Sequence, residues 1–241
     1  MDRVLRRLAR FASKSLPGRL VRWPLALVPR GVAVPVMSGP LRGSRWIVGS
    51  HTHGCWLGIY EPSKQAAVGR FTRPGGVFYD LGANVGFYTL LAAKLGARVV
   101  AVEPLPRNLA YLRRHLGLNH CSGVEIFEGV VLDRAGSVHV VAAGSATAYV
   151  GDKGVPVRAT TLDEMVGSLG YPTPTVIKCD VEGAELRVLA GGRSVLPTRR
   201  PVLLLSVHSE RLKVACTAQL SEWGYRIEGD PDDANEIIAT P

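Results

Sequence analysis

The chain has 241 residues, of which 46% are hydrophobic and 20% charged, so it can bury a core large enough for a stable domain. No apolar run approaches the roughly 20 residues that a membrane-spanning helix needs, and the start of the chain lacks the pattern of a secretory signal. The four cysteines are widely separated and form no CxxC pair, which argues against a zinc knuckle and against a disulfide framework. We therefore expect a cytoplasmic protein.

The first 30 residues carry most of the net charge of +9. Eight arginines and lysines stand there against one aspartate, a local balance of +7 that leaves the rest of the chain close to neutral. Apolar residues recur at helical spacing between Val4 and Ala12, which predicts a short cationic amphipathic helix that ends at Pro17. Two interpretations stay open: the helix attaches the protein to the inner face of the membrane, or its apolar stripe packs on the domain or on a second copy in a homodimer.

Residues 32–69 continue a predicted N-terminal unit, which we place at residues 1–70. Two short β-prone runs separated by glycines predict a hairpin that covers one edge of the main domain. The next stretch, "HTHGCWLGIYE", is rich in side chains that can touch a ligand, and we expect it to form a wall or lid of a site. Its candidate substrate contacts are His51, His53, Trp56 and Tyr60. An exposed turn for the histidines and a packing pair for the aromatic residues are the alternatives.

Strand and helix patterns alternate in the main domain, which we place at residues 71–241. Strand-like runs fall at Val77–Leu81, Arg98–Glu103, Val124–Phe127, Ser137–Val141, Val155–Thr160, Thr175–Asp180 and Pro201–His208. Helix-like runs fall at Gly86–Leu95, Arg107–Leu118, Leu162–Leu169, Ala184–Ala190 and Glu210–Trp223. Apolar strands separated by helices predict an α/β fold whose mostly parallel sheet is covered by helices on both faces.

The turn after the first of these strands, "DLGANVG", has the character of a ligand-binding loop. Gly82 and Gly86 lack Cβ atoms, so the backbone can turn sharply and approach a ligand, and the following helix offers its free N–H groups. The spacing is neither G-x-G-x-x-G nor that of a phosphate-binding loop. Asp80 and Asn84 place an acceptor and an amide there, which suits a ligand with an ammonium or sulfonium group. Glu103 ends the next strand, where a carboxylate can accept both hydroxyls of a ribose.

A second group of acids follows the strand in "TVIKCDVEGAE". Asp180 is predicted at the carboxyl edge of the sheet, with Glu182 next to it, and the pair can orient hydroxyls, act as a base or bind a hard cation such as Mg²⁺. Glu185 begins a helix and is expected only to cap it or to pair. The neighbouring strand, "LLLSVHSE", delivers Ser206 and His208 to the same edge. His208 is our preferred general base, with a plain surface histidine as the alternative.

Three segments, "DLGANVGFYTLLA", "VEPLPRNLAYLRRHLGLN" and "TVIKCDVEGAELRVLAGG", resemble the FkbM-type family of S-adenosylmethionine-dependent methyltransferases. The resemblance extends from about residue 39 to about residue 229. It implies the Rossmann-like class I methyltransferase fold, with a seven-stranded sheet and the cofactor over the carboxyl ends of the first strands. It also implies methylation of hydroxyl groups on sugars and natural products.

The resemblance also assigns cofactor contacts by position. It implies that the methionine part of the cofactor lies along Asp80, Gly82, Asn84 and Gly86. It implies that the ribose is held by Glu103 beside Pro104, and that the adenine lies near Glu128, Gly129 and Val130. Glu61 from the N-terminal wall completes the expected cofactor contacts, whereas Asn108 is expected to fix the loop or the helix start.

Methyl transfer to a hydroxyl requires alignment of oxygen, methyl and sulfur and the removal of one proton. His208 supplies the base in our preferred interpretation, and Asp180 and Glu182 are tentative Mg²⁺ ligands. Many members of the family have glutamate where Ser206 stands, so this site has one carboxylate fewer and its use of a metal stays open.

Three functions are compatible with the sequence. The preferred one is an O-methyltransferase whose acceptor is a small molecule or an oligosaccharide, such as a sugar, a glycan or a glycolipid. The second is an RNA methyltransferase, which the basic N-terminus favours, but no base-methylation motif or aromatic-interleaved basic patch is present and we expect no nucleic-acid partner. The third is a non-catalytic binding or assembly protein that uses the same fold.

Overall fold

The computed structural model describes residues 28–143, 147–230 and 233–241, so the predicted N-terminal amphipathic helix lies outside the described residues. The strands are β1 (Ala33–Pro35), β2 (Arg45–Ile47), β3 (Val77–Leu81), β4 (Arg98–Glu103), β5 (Val124–Glu128), β6 (Val130–Val131), β7 (Gly136–Ala143), β8 (Thr147–Gly151), β9 (Val155–Thr160), β10 (Val176–Cys179), β11 (Val202–Ser206), β12 (Arg226–Gly229) and β13 (Glu236–Thr240). The helices are α1 (His53–Leu57), α2 (Pro62–Phe71), α3 (Phe87–Lys94), α4 (Pro106–Leu118), α5 (Leu162–Val166), α6 (Glu185–Ala190), α7 (Val195–Arg199) and α8 (Glu210–Glu222). Within the described ranges, no helix has both the length and the apolar character needed to cross a bilayer.

A seven-stranded sheet in the order β12, β13, β11, β10, β3, β4, β5 forms the centre of the protein. The five strands from β11 to β5 are parallel, and β13 runs antiparallel to both of its neighbours. Because parallel strands share one carboxyl edge, this order brings the loops after β3, β4, β10 and β11 together. The predicted α/β fold with a mostly parallel seven-stranded sheet is confirmed.

Two of the predicted strands do not belong to this sheet. β7 and β9 pair antiparallel with each other in a separate four-stranded sheet of order β6, β9, β7, β8. Their residues are largely exposed, as is expected of strands with one solvated face and not of strands covered by helices on both sides. The central sheet instead gains β12 and β13 near the end of the chain, which the sequence analysis did not identify.

The predicted hairpin is present as β1 and β2, and that it covers one edge of the main domain stays a prediction. It forms its own two-stranded sheet and packs on helix α4. Trp46 of β2 stacks on His115 of α4 with ring centroids 3.9 Å apart, and the Ile47 N–H donates to His115 Nε2 at 3.1 Å. The apolar side chains of β2 are thus buried against the helical layer, where they extend the core.

The two largest hydrophobic clusters of the described residues lie on opposite faces of the sheet. One core joins β3, β10 and β11 to helices α6 and α8, with Leu189 and Leu220 among its members. The other lies against α3 and includes Trp46 and Trp56 from the segment before the sheet. Residues 28–70 therefore pack directly on the central sheet, and the division at residue 70 stays a prediction.

Candidate active site

A cavity of about 470 Å³ lies over the shared carboxyl edge of β3, β4, β10 and β11. Its floor comes from the loops after these strands, and one wall comes from the segment around α1 and α2. The small sheet contributes a second wall through Val140, Tyr149 and Val150. The volume lies in the range of small-molecule sites.

The turn after β3 places Gly82 and Asn84 against the cavity. Gly82 has a φ of 73°, and a Cβ there would lie 1.9 Å from the Asp180 carbonyl oxygen, so only glycine fits between the two loops. Asn84 also has a left-handed φ, of 53°, and its side-chain oxygen accepts from the Val85 N–H. Gly86 is different from the expectation, because a Cβ there would meet Leu112 of α4 at 2.4 Å. The absence of a side chain at Gly86 allows this helix packing, and Gly86 is not among the residues that line the cavity, so the structure does not support its predicted cofactor contact.

Asp80 is also corrected as a direct ligand contact. It is fully buried, with Oδ1 3.1 Å from Lys178 Nζ and Oδ2 accepting from the Thr89 hydroxyl at 2.6 Å. Asp80 and Lys178 are register partners on adjacent parallel strands, so their side chains lie on the same face of the sheet and meet. Lys178 in turn donates to the Gly82 carbonyl at 2.7 Å. The pair therefore supports the turn at Gly82 that lines the cavity.

Glu103 lines the cavity at the end of β4, as predicted, and is held by three donors. Its Oε1 accepts from the Leu105 N–H at 2.9 Å and from Asn108 Nδ2 at 3.1 Å, and its Oε2 accepts from the Asn84 N–H at 2.8 Å. Burial raises its pKa above the usual range, against the effect of these donors. Asn108 thus fixes the loop, as expected. These three donors fix the orientation of the carboxylate in the cavity.

The strand end expected near the adenine is only partly in the cavity. Gly129 and Val130 line it, and so does Pro104. Glu128 does not, because its exposed side chain points away and pairs with Arg113 of α4. The predicted contact at Glu128 is therefore corrected to a surface ion pair.

The wall before the sheet separates into a cavity-facing and a core-facing part. His51, Tyr60 and Glu61 line the cavity, and burial lowers the pKa of His51, so its imidazole is neutral near pH 7. Trp56 instead enters the core and donates its Nε1 hydrogen to Nδ1 of the exposed His53 at 3.0 Å. One turn of α1 directs these two side chains away from the cavity, which corrects both as substrate contacts.

Lys64 of α2 is a residue that the sequence analysis missed. Its side chain is only 5% exposed, and Nζ lies 3.1 Å from Glu61, 3.4 Å from Asp180 and 2.8 Å from Glu236. It also donates to the Ser206 hydroxyl at 2.8 Å. Burial alone would lower the pKa of Lys64, but the three carboxylates raise it. An ammonium group thus connects helix α2 to the carboxyl edge of the sheet.

Glu236 places a carboxylate next to Ser206, the position at which many members of the family have a glutamate. Ser206 and Glu236 are register partners on β11 and β13, so the two side chains lie together. The carboxylate at this point of the edge therefore comes from an antiparallel neighbour and is engaged by Lys64.

The predicted catalytic residues converge, because β10 and β11 are adjacent. His208 Nε2 lies 3.3 Å from Glu182 Oε2 and 3.6 Å from Asp180 Oδ1, and all three residues line the cavity. On the other side of the ring, His208 Nδ1 lies 3.0 Å from Glu185 Oε1. The hydrogen bond to Glu185 is the main cause that raises the pKa of His208, with the other two carboxylates adding to it.

Asp180, Glu182 and His208 each offer one ligand atom, and these atoms lie within 4.8 Å of one another. Two carboxylates and an imidazole can bind a divalent cation. Asp180 is also 3.4 Å from the Lys64 ammonium, whose charge opposes a cation at this point. The donor set is thus compatible with a metal, but the local charge does not require one.

Comparison with known proteins places this arrangement in a family. The model of the methyltransferase FkbM domain matches residues 80–232. The hexuronic acid methyltransferase AglP of Haloferax volcanii is 28% identical over 173 residues, which are 65% of this chain and 68% of that protein.

Two solved structures support the fold. A methyltransferase FkbM from Methylobacillus flagellatus has a TM-score of 0.51 and 20% identity, over 73% of this chain and 50% of the other, so this chain spans half of its length. The ribosomal protein L11 methylase of Lactobacillus delbrueckii has a TM-score of 0.50 and 14% identity, over 74% and 75%. With the family model covering well over half of its residues, the chain belongs to the FkbM methyltransferase family.

Proposed function

We propose that the protein is an S-adenosylmethionine-dependent O-methyltransferase that acts on a hydroxyl of a sugar, a glycan or a related natural product. The observation that carries the proposal is a single cavity that joins the preorganised Glu103 carboxylate to the cluster of His208, Asp180 and Glu182. The first part suits the ribose of a nucleoside, and the second suits a hydroxyl that must lose a proton.

The lining chemistry fits this cofactor. The described lining contains two lysines, and both are paired with acids. It also contains six carboxylates, which are those of Glu61, Glu103, Asp180, Glu182, Asp233 and Glu236. An acidic lining favours a ligand that carries ammonium and sulfonium charges. Glu103 would hold the ribose, and the backbone at Gly82 and Asn84 would lie along the amino acid part. When bound, the cofactor supplies an electrophilic methyl group.

The residues of the chain would then orient the acceptor and remove its proton. Asp180 and Glu182 can accept hydrogen bonds from acceptor hydroxyls and so align one oxygen for attack. His208 Nε2 is on the same side as these two carboxylates and would take the hydroxyl proton as the new C–O bond forms. A Mg²⁺ ion on Asp180 and Glu182 is the alternative way to lower the hydroxyl pKa.

Calorimetry of S-adenosylmethionine binding tests the cofactor part of the proposal. Glu103→Ala should weaken binding by about 1.5–3 kcal/mol, the scale of charge-assisted hydrogen bonds. Glu128→Ala is the matched control, because this acid ends the adjacent strand but pairs on the surface. Equal affinities for the wild type and the Glu103 variant, with an intact fold, would remove the ribose assignment.

Transfer of a labelled methyl group to a panel of acceptors tests the reaction. The panel should hold neutral sugars and uronic acids, because the name of the Haloferax relative specifies a hexuronic acid. Treatment of the product with base separates two outcomes, since a methyl ether survives it and a methyl ester of a carboxylate does not. A base-stable product supports O-methylation of a hydroxyl, and transfer to RNA alone would contradict the proposal.

A further inference from the structure

We propose that Glu185 is a positioning residue that holds the imidazole of His208 in the tautomer with an unprotonated Nε2. The inference rests on the proposed function, in which this nitrogen takes the proton of the acceptor. Glu185 itself is behind the ring and acts through His208.

The direction of one hydrogen bond carries the first step. Glu185 Oε1 lies 3.0 Å from His208 Nδ1. The same Oε1 accepts a hydrogen bond from the Gly183 N–H and therefore acts as an acceptor, so the proton of its contact with His208 belongs to Nδ1. A neutral imidazole has one N–H, and the lone pair is then on Nε2, beside Glu182 and Asp180. The proton that His208 gains or loses is therefore the one on the cavity side.

The same carboxylate oxygen also fixes the turn that carries Glu182. Glu182 and Gly183 have consecutive left-handed φ values of 52° and 96°, a conformation that is unfavourable for a glutamate. The Gly183 N–H donates to Glu185 Oε1 at 3.0 Å. One oxygen thus anchors both the turn and the ring of His208, and it sets the separation between Glu182 and Nε2.

The burial of Glu185 argues against a purely structural role. The residue is fully buried at the start of α6, and Val188 and Leu189 of the same helix are core residues. Among the described residues, its Oε2 has no hydrogen-bond partner. A buried carboxylate with an unsatisfied oxygen is unfavourable, and an acid that only complements the helix dipole can remain in solvent. A role in positioning His208 explains why the Glu185 carboxylate is buried.

Imidazole nitrogen-15 spectra of the full chain test the inference without any acceptor. His208 is assigned by its loss in His208→Gln, and spectra are recorded at a pH where the ring is neutral. The wild type should carry the proton on Nδ1. Glu185→Leu removes the acceptor and should transfer most of the population to the Nε2–H tautomer. In Glu185→Gln the Gly183 N–H selects the amide oxygen at the same place, so Nδ1–H should be kept.

Two results would overturn the inference: a wild-type ring with the proton on Nε2, or a Leu variant that keeps Nδ1–H. Should the Leu variant not fold, Glu185→Met fills more of the volume and takes its place. In the methyl-transfer assay the apolar variant should lower kcat by about 10-fold or more with unchanged cofactor affinity, and the Gln variant should recover most of it. Absence of transfer in the wild type would remove the proposed function, whereas the tautomer result would stand separately.

Discussion

The stability of the fold should fall at acidic pH because of His115, which connects the turn after β3 to the N-terminal hairpin. Its ring is fully buried, its Nδ1 lies 2.7 Å from the Val85 carbonyl oxygen and donates to it, and its Nε2 accepts from Ile47. Only the neutral imidazole can do both, because the protonated ring has no acceptor. Burial lowers the pKa of His115 from 6.5 to about 4.

The sign and size of the effect follow from this shift. A lowered folded-state pKa means that the unfolded chain binds the extra proton first, so the stability from a neutral His115 is complete above about pH 6.5 and is lost as the pH falls toward 4. At 1.36 kcal/mol per pKa unit, we expect a loss of about 2 kcal/mol between about pH 7 and about pH 5. The loss should approach about 3 kcal/mol near pH 4.

Denaturant unfolding at about pH 7 and about pH 5 measures this loss. Other groups titrate in the same range. The informative quantity is therefore the change in the free energy of unfolding between the two pH values, compared between the wild type and each variant. His115→Gln keeps a donor and an acceptor but removes the titration, and should reduce the change by about 2 kcal/mol. His139→Gln, at an exposed site on β7, is the control and should leave it unaltered. An unchanged pH dependence in His115→Gln would refute the reasoning.

Three further predictions concern the carboxyl edge and the N-terminal segment. His208→Ala should lower turnover by about 10²-fold with cofactor affinity nearly unchanged, and wild-type turnover should rise with pH through the raised pKa of His208. Loss of activity on chelation that added metal restores would instead favour a Mg²⁺ ion on Asp180 and Glu182. Lys64→Met should destabilise the fold by about 3–5 kcal/mol in denaturant unfolding, because three carboxylates lose their cation. Arg70→Met on the same helix removes an exposed pair with Glu228 and a contact with the Phe71 ring, and should cost less than about 1 kcal/mol. Removal of residues 1–27 should leave cofactor binding unchanged in calorimetry. It should change either membrane attachment, measured by liposome flotation, or the oligomeric state, measured by light scattering. A folded truncated protein that no longer binds cofactor would contradict this prediction.

Most elements that the sequence predicted well are continuous apolar runs or amphipathic segments bounded by glycine, proline or polar residues. The bounds of β3, β4 and β9 were predicted to the residue, and α4 and α8 to within one residue at either end. Continuous apolar runs between glycines identify such strands without knowledge of their partners. The second sheet could not be placed in this way, because a half-exposed strand gives the same short run whichever sheet it joins.

The site was predicted where a residue's position depends on its own strand end, and missed where it depends on a partner. Glu103 and His208 follow directly from the carboxyl ends of β4 and β11. Lys64 and Glu236 could not be found from the sequence, because one lies in an ordinary helix and the other in a strand that was not identified. Only their ion pair in the folded structure marks them as candidates for the site. Asp80 was misassigned because the alternation of β3 directs it toward Lys178, which a single-strand pattern cannot show.

The charges around the cavity form two layers with different tasks. Asp80 and Lys178 neutralise each other within the sheet, and Lys64 pairs with acids that precede α2, follow β10 and lie in β13, so these groups hold elements together. Around His208 stand three carboxylates, of which Asp180 is shared with Lys64, so two further acids face one imidazole. A cationic ligand bound beside these carboxylates would be stabilised by their negative charge. Under the proposed function, a bound cationic cofactor would oppose the positive charge of protonated His208, so that a larger fraction of the ring would be unprotonated and able to accept the hydroxyl proton.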